Sequence, residues 1–274
     1  MSAQVLPTRP RRRPHVLLMV GVLLLAIGLV ALVLEVSASM SRKDASGVYP
    51  IAGPFTALDV QAEASGVSVA YADVAEAEVR FDQGNARRSY ELTVDSDNAG
   101  GTAQVRLTQH NPRWWSWDIW GGSSPRLEVL LPRDMEANPI AVNLSTSAGN
   151  LSLDGTFGDA GLNSTAGNLT VTGSARDVTL AATAGNISAI DYHVTGRALV
   201  HTTAGNATLD FGSLPAGLAV ETTAGNQTTT LPKGSYRIQT EATIGTVSID
   251  ATSTPDAART YTFSATAGDI EVAN

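Results

Sequence analysis

The chain has 274 residues, a formal net charge of −8 at pH 7, no cysteine, and aromatic residues at only 5% of its length. The lack of cysteine excludes disulfides and cysteine-ligated metals, and the acidic balance argues against nucleic acid as a partner, because phosphate binding needs basic patches. So few large rings favour a narrow repeat fold, whose interior holds small aliphatic side chains, over an ordinary globular core.

The N-terminal residues have the composition of a membrane anchor. Residues 1–14 contain four arginines and no acid, and Val16–Leu34 is an unbroken run of 19 apolar or glycine residues. A helix of this length, at about 1.5 Å per residue, crosses a hydrocarbon core about 30 Å thick. We therefore predict a cytoplasmic tail over residues 1–14, a transmembrane helix over residues 15–36 and a linker over residues 37–49. The alternative is a cleaved secretory signal, since Val36-Ser37-Ala38 is an acceptable cleavage site.

The arginines also predict the orientation of this anchor. By the positive-inside rule they stay in the cytoplasm, so the chain beyond residue 36 is expected outside it. With +4 on residues 1–14 and −1 at Glu35, the net charge of −8 leaves −11 on the rest of the chain. The sequence thus predicts a single-pass protein of the cell membrane, in contact with the membrane through residues 15–36 and with an acidic extracytoplasmic domain.

Residues 50–134, the first part of this domain, are predicted to form strands. Several runs alternate apolar and polar residues, which is typical of strands with one buried face. The segment Ala64–Val69 resembles a degenerate copy of the repeat described below. We therefore expect residues 50–134 to be capping strands of the same β structure, which cover an open sheet edge, rather than a separate domain.

All four tryptophans of the chain lie within seven residues of this region. Indole rings have an apolar body and a polar tip, so they suit contacts with sugars, with protein partners and with membrane interfaces. The cluster is a candidate contact site of one of these kinds, and the alternative is that the rings cover the end of the repeat structure as a cap. The four residues are Trp114, Trp115, Trp117 and Trp120.

Residues 135–274 carry serial copies of a Ser/Thr-Ala-Gly-Asn tetrapeptide, the last two of them looser. The glycines are 18, 18, 20, 20, 20 and 23 residues apart, and a near-constant period of this size is typical of a repeat protein. The Thr-rich alternating runs between them predict short strands, and Gly-Asn predicts a sharp bend. The predicted bend residues are Gly149, Asn150, Gly167, Asn168, Gly185, Asn186, Gly205, Asn206, Gly225, Asn226, Gly245, Gly268 and Asp269.

Two all-β topologies accommodate strand–bend–strand units of this length. In a β-solenoid each repeat is one coil, and equivalent residues stack about 4.8 Å apart. In an antiparallel sandwich or barrel each repeat is a hairpin. We favour the β-solenoid, because hairpins at opposite ends of a sandwich have no reason to share one bend sequence, whereas stacked asparagines can form hydrogen bonds along the stack.

Three motifs occur together in this chain: an early Phe-x-x-Leu-x-Val (Phe55, Leu58 and Val60), a strand that ends in Leu131-Pro132, and serial units such as Ala267-Gly268-Asp269-Ile270. Their order over residues 50–274 resembles the bacterial putative adhesin family of β-strand repeats, known as DUF4097. The resemblance implies an extracytoplasmic domain like a β-solenoid, often tethered by a transmembrane helix. It brings no catalytic residues.

These observations together predict a non-enzymatic, adhesin-like binding or structural module at the cell surface, without a cofactor or metal. A glycan or an envelope protein is the candidate partner, and an envelope-stress or signalling accessory protein is the first alternative. A polysaccharide-active enzyme is the second, because glycoside hydrolysis uses a pair of carboxylates. The candidate carboxylates for that alternative are Asp154, Asp159, Asp177, Asp191 and Asp210.

Overall fold

The computed structural model describes residues 42–43, 46–84, 89–96, 101–110 and 125–274. All of these belong to one compact unit. The predicted tail and transmembrane helix lie outside the described residues. Within the described ranges, no helix has the length and hydropathy that a membrane crossing requires.

The described residues form twenty strands and a single 3-10 turn, Arg133–Ala137, with no α-helix among them, so the predicted all-β class is confirmed. The strands join in one open sheet that folds over an apolar interior. In chain order they are β1 (Arg42–Lys43), β2 (Gly47–Pro50), β3 (Ala57–Ala62), β4 (Gly66–Ala72), β5 (Glu78–Asp82), β6 (Ser89–Ser96), β7 (Thr102–His110), β8 (Arg126–Pro132), β9 (Ala141–Ala148), β10 (Leu151–Ala166), β11 (Leu169–Ala184), β12 (Ile187–Val194), β13 (Arg197–Ala204), β14 (Ala207–Phe211), β15 (Gly217–Ala224), β16 (Gln227–Thr230), β17 (Arg237–Ile244), β18 (Val247–Ile249), β19 (Thr260–Ala267) and β20 (Ile270–Ala273).

The repeats stack as coils, where a coil is one strand, its bend and the strand that follows. Strands that precede a bend pair in parallel with each other, as β13 does with β15, and strands that follow a bend do the same, as β14 does with β16. The long strands β10 and β11 each follow one bend and precede the next, and they pair in register from Leu151 with Leu169 to Ala166 with Ala184. This parallel, in-register stacking agrees with the predicted solenoid. The hairpin alternative is wrong, because a hairpin pairs its two strands antiparallel.

The interior of the stack is lined by columns of small aliphatic residues. In β14, Ala207, Leu209 and Phe211 are buried while Thr208 and Asp210 are exposed. Such alternation arises because successive side chains of a strand point to opposite faces of a sheet. Each fully buried Leu or Val contributes about 1.5–3 kcal/mol to stability relative to an exposed one. The stack is therefore held together by many small increments along its length.

Antiparallel strands cover the N-terminal end of the stack. The coil of β3 and β4 lies on the first regular repeat, and the coil of β7 and β8 lies beyond it. Antiparallel strands β6 and β5 then cover the outer edges of β7 and β8. The degenerate repeat at Ala64–Val69 forms the bend of the β3–β4 coil, and Val67 there is in register with Leu151.

The coils at the C-terminal end are not stacked in chain order. Strand β19 lies between β15 and β17, and β20 lies between β16 and β18. The chain therefore forms the outermost coil, β17–β18, before the coil that lies beneath it. Residues 250–259 make the return, during which the Thr254 amide donates a hydrogen bond to the carbonyl oxygen of Tyr236. The N-terminal end also departs from chain order. The first coil of the chain, β3–β4, lies inside the stack, and the later coil β7–β8 lies outside it.

Candidate binding ridge along the bends

The bends of successive coils line up along one edge of the stack, and their exposed side chains form what we call the polar ridge. Parallel strands are about 4.8 Å apart, so seven aligned bends extend over roughly 29 Å. One column of the ridge carries hydroxyls and the next carries amides that end in a carboxylate. In stacking order the first column is Ser147, Thr165, Thr183, Thr203, Thr223, Thr266 and Thr243, and the second is Asn150, Asn168, Asn186, Asn206, Asn226 and Asp269.

Glycine is required in these bends because the coils approach each other too closely for a Cβ atom. At Gly205, φ is +145° and an added Cβ would lie 2.0 Å from the carbonyl oxygen of Gly185. That atom belongs to the backbone of the next coil, so it cannot move aside as a flexible side chain would. The other repeat glycines have the same kind of backbone conformation, with φ between +134° and +150°.

The asparagines connect the bends through their side-chain oxygens. The backbone amide of Asn186 donates to Oδ1 of Asn168 at 2.9 Å, and the amide of Asn206 donates to Oδ1 of Asn186 at the same distance. Each side-chain oxygen thus accepts the backbone N–H of the next coil, which has no strand partner at the bend. A hydrogen bond of this kind contributes about 0.5–1.5 kcal/mol. The series, which we call the asparagine ladder, runs without a gap from Asn150 to Asp269 and Thr246.

The asparagine ladder ends in a carboxylate at Asp269. Its Oδ1 accepts hydrogen bonds from the backbone amide of Thr246 at 2.8 Å and from the Thr246 hydroxyl at 2.7 Å. Both hydrogen bonds lower the pKa of Asp269, and the bond from the backbone amide has the larger effect. Thr246 has no side-chain carbonyl oxygen, so the ladder cannot continue to a further coil.

This carboxylate gives the stack a testable pH dependence. Because folding lowers the pKa of Asp269, its contribution to stability is present above the unfolded-state pKa and is lost as the pH falls through the lowered, folded-state value. Asp269→Asn keeps an acceptor oxygen but does not titrate. Between about pH 5 and pH 2, we expect the melting temperature of the wild type to fall further than that of Asp269→Asn. Asp210→Asn, which removes an exposed carboxylate outside the ladder, is the control, and equal losses in all three proteins would contradict the assignment.

Apart from the Asp269 carboxylate, the polar ridge presents neutral hydrogen-bond donors and acceptors that repeat from coil to coil. Over the described ranges, no hydrogen bond uses the hydroxyls of Thr183, Thr203 and Thr223 or the side-chain nitrogens of Asn206 and Asn226. The position after the hydroxyl residue is alanine in six of the seven bends, and the alanine is exposed in five of them. A flat ligand can therefore contact both columns at once. The arrangement suits hydrogen bonding to an extended, hydroxyl-bearing molecule.

The predicted contact residues Trp114, Trp115, Trp117 and Trp120 lie outside the described residues. The segment that contains them, residues 111–124, joins β7 to β8 in the outermost parallel coil of the N-terminal end. Whether the rings act as a cap or as a contact surface stays a prediction.

Of the candidate catalytic carboxylates, Asp154, Asp159 and Asp177 form side-chain hydrogen bonds or ion pairs. Arg176 bridges Asp159 and Asp177, and Asp154 accepts a hydrogen bond from Thr172 at 2.6 Å. The pKa of Asp177 is lowered, first by a hydrogen bond from the backbone amide of Arg197. A glycosidase needs one carboxyl group with a raised pKa as its acid, so Asp177 does not have the environment of a general acid.

The structure also places two histidines, which the sequence analysis did not single out, beside carboxylates. His193 lies 3.7 Å from Asp191, and His201 lies 3.5 Å from Glu221. In the part of the chain that the structure describes, no group of three or more His, Asp and Glu side chains can hold a metal ion. The outermost coil exposes Ile244, which replaces the alanine of the other bends and is 68% exposed. That replacement was one sequence signal for an end position.

The chain matches a known protein family over most of its length. The family model described as Toastrack DUF4097 matches residues 55–274, and no curated protein matches the chain. Among solved structures, a putative cell adhesion protein from Clostridium sporogenes is 11% identical with a TM-score of 0.34, over 86% of this chain and 99% of that one. A putative adhesin from Bacteroides fragilis is 9% identical with a TM-score of 0.38, over 86% and 98%. Since the family match spans most of its length, the chain belongs to the Toastrack DUF4097 family.

Proposed function

We propose that this protein is a non-enzymatic binding module, anchored in the cell membrane by residues 15–36, whose extracytoplasmic domain contacts its partner through the polar ridge. The anchor and the orientation rest on the apolar run Val16–Leu34 and the arginines that precede it. The binding role rests on the ridge, where a hydrogen-bonded ladder holds unused hydroxyls and amides in a straight line.

A glycan is the partner that this surface fits best. Its hydroxyls both donate and accept hydrogen bonds, as do the threonine and asparagine side chains of the polar ridge. Because the coils already fix these side chains in place, little conformational entropy is lost when a regular polymer binds along them. The surface carboxylates also favour a binding module over a polysaccharide-active enzyme. Asp159 and Asp177 both form ion pairs with Arg176.

The proposal is tested by glycan-array binding of residues 39–274, compared with the triple variant Thr183→Val, Thr203→Val and Thr223→Val. Three lost hydrogen bonds, each worth about 0.5–1.5 kcal/mol, should weaken binding at least about tenfold. Thr195→Val is the control, because Thr195 is exposed in the turn between β12 and β13, on the opposite edge of the stack. Binding that survives the triple substitution would exclude the ridge as the contact surface. Release of shortened glycan would favour the polysaccharide-active enzyme instead.

A further inference from the structure

Four buried side chains near the C-terminal end of the stack carry polar atoms that have no hydrogen-bond partner among the described residues. These atoms are Oγ1 of Thr202, Thr222 and Thr229 and Oε1 of Gln227. Each of the four residues is at most 1% exposed. Buried polar atoms in folded proteins nearly always have a protein or water partner, because an unpaired one is destabilising.

The four residues face the same part of the interior. Thr202 on β13 is in register with Thr222 on β15. Gln227 begins the strand on the other side of the same bend, and Thr229 is the next buried residue of that strand. Thr222 and Gln227 are therefore buried on the two sides of one bend, and Thr202 lies one coil below Thr222. We call these four residues the polar cluster.

The polar cluster has alanines as neighbours in the adjacent coils. Gln227 stacks on Ala207, although the same column holds Leu151, Leu169 and Ile187 in the preceding coils. Thr222 stacks on Ala265 on its other side. Ala207 has a smaller side chain than the Leu or Ile of the preceding coils, so the side chain of Gln227 has a smaller neighbour beneath it than those residues have.

One hydrogen bond fixes the orientation of the glutamine. Nε2 of Gln227 donates to the carbonyl oxygen of Ser264 at 2.5 Å. Ser264 lies on β19, the strand of the coil that is inserted out of chain order. The bond uses one donor of the amide, while Oε1 stays buried and accepts no hydrogen bond from a described residue.

We propose that the polar cluster is a binding site for internal water, in which a water molecule bridges Oε1 of Gln227 to the threonine hydroxyls. Water fits because it donates and accepts at once, and a buried water typically has two to four polar partners. A cation fits poorly, since the buried polar residues of the described chain are Ser, Thr and Gln only, and none compensates a charge. The site joins the last coil in regular chain order to the inserted coil β19–β20.

The test is a double-mutant cycle on the full chain with Thr222→Val and Gln227→Met, followed by calorimetry. If water bridges the two side chains, Thr222→Val should lower the melting temperature by about 2–4 °C, because the water loses a partner. The effect of Thr222→Val should also shrink in the Gln227→Met background, since the two side chains then share one water. Thr222→Ser, which keeps the hydroxyl, should preserve the coupling.

Two outcomes would overturn the water site. A melting temperature for Thr222→Val equal to or above that of the wild type would mean that the hydroxyl has no water partner. Removal of a buried hydroxyl without a partner does not destabilise the fold. Additive effects of the two substitutions would mean that Thr222 and Gln227 have separate partners. A lower melting temperature together with non-additivity supports the site.

Discussion

Gly205→Ala should destabilise the protein by about 3–5 kcal/mol, whereas Gly217→Ala should change its stability by less than about 1 kcal/mol. Both substitutions add one methyl group to a glycine of the stack. At Gly205 the new Cβ would lie 2.0 Å from the carbonyl oxygen of Gly185, in a backbone with φ of +145°. At Gly217 the nearest atom is Cγ of Arg197 at 3.7 Å, which is an ordinary contact.

The measurement is denaturant unfolding of residues 39–274, followed by circular dichroism. Repeat proteins can lose two-state behaviour, so the midpoint of the main transition is compared rather than an extrapolated free energy alone. If the midpoint for Gly205→Ala matches that for Gly217→Ala, the close approach of the bends is not present in solution.

Ile270→Ala should cost about 2–5 kcal/mol, while Val247→Ala should cost less than about 1 kcal/mol. The two residues are register partners in one column. Ile270 is 1% exposed because its coil lies inside the stack, and Val247 is 42% exposed because its coil lies at the end. A stack built in chain order would give the opposite ranking, with the last repeat outermost.

The ranking of these two variants therefore tests the inserted coil directly. Thermal melts of the same fragment suffice, since both changes truncate an aliphatic side chain in the same column. Phe263→Ala, at a residue 1% exposed on the other face of the inserted coil, should resemble Ile270→Ala. A larger loss for Val247→Ala than for Ile270→Ala would show that β17–β18 lies beneath β19–β20.

The regular part of the fold follows from local signals. Gly-Asn at a near-constant period predicts both the bend and its stacking, because identical bends share one environment only when they are neighbours. The alternation in Ala207–Phe211 likewise predicts which side chains are buried. Both signals act over a few residues, so one sequence is enough to read them.

The stacking order at the two ends does not follow from local signals. The order depends on which strands pair at the edges of the coils, and the residues of those strands are far apart in the chain. Gln227 illustrates this, because it donates to Ser264, which lies 37 residues later in the chain on the strand that pairs with β15. The sequence contains only slight signs of the stacking order at the C-terminal end. These are a 23-residue spacing before Gly268, and Ile244 and Thr246 at bend positions that otherwise hold Ala and Asn. The polar cluster also arises only from the three-dimensional stack.

The stacking order of the coils at the two ends has a consequence for how such proteins change length. Both terminal arrangements are closed by residues on their own side of the repeats: β3 to β8 at one end and β15 to β20 at the other. A unit such as Ile187–Asn206 contacts only the units before and after it. Duplication or loss of one such unit would thus leave both ends intact, and would lengthen or shorten the ridge by a single step of about 4.8 Å.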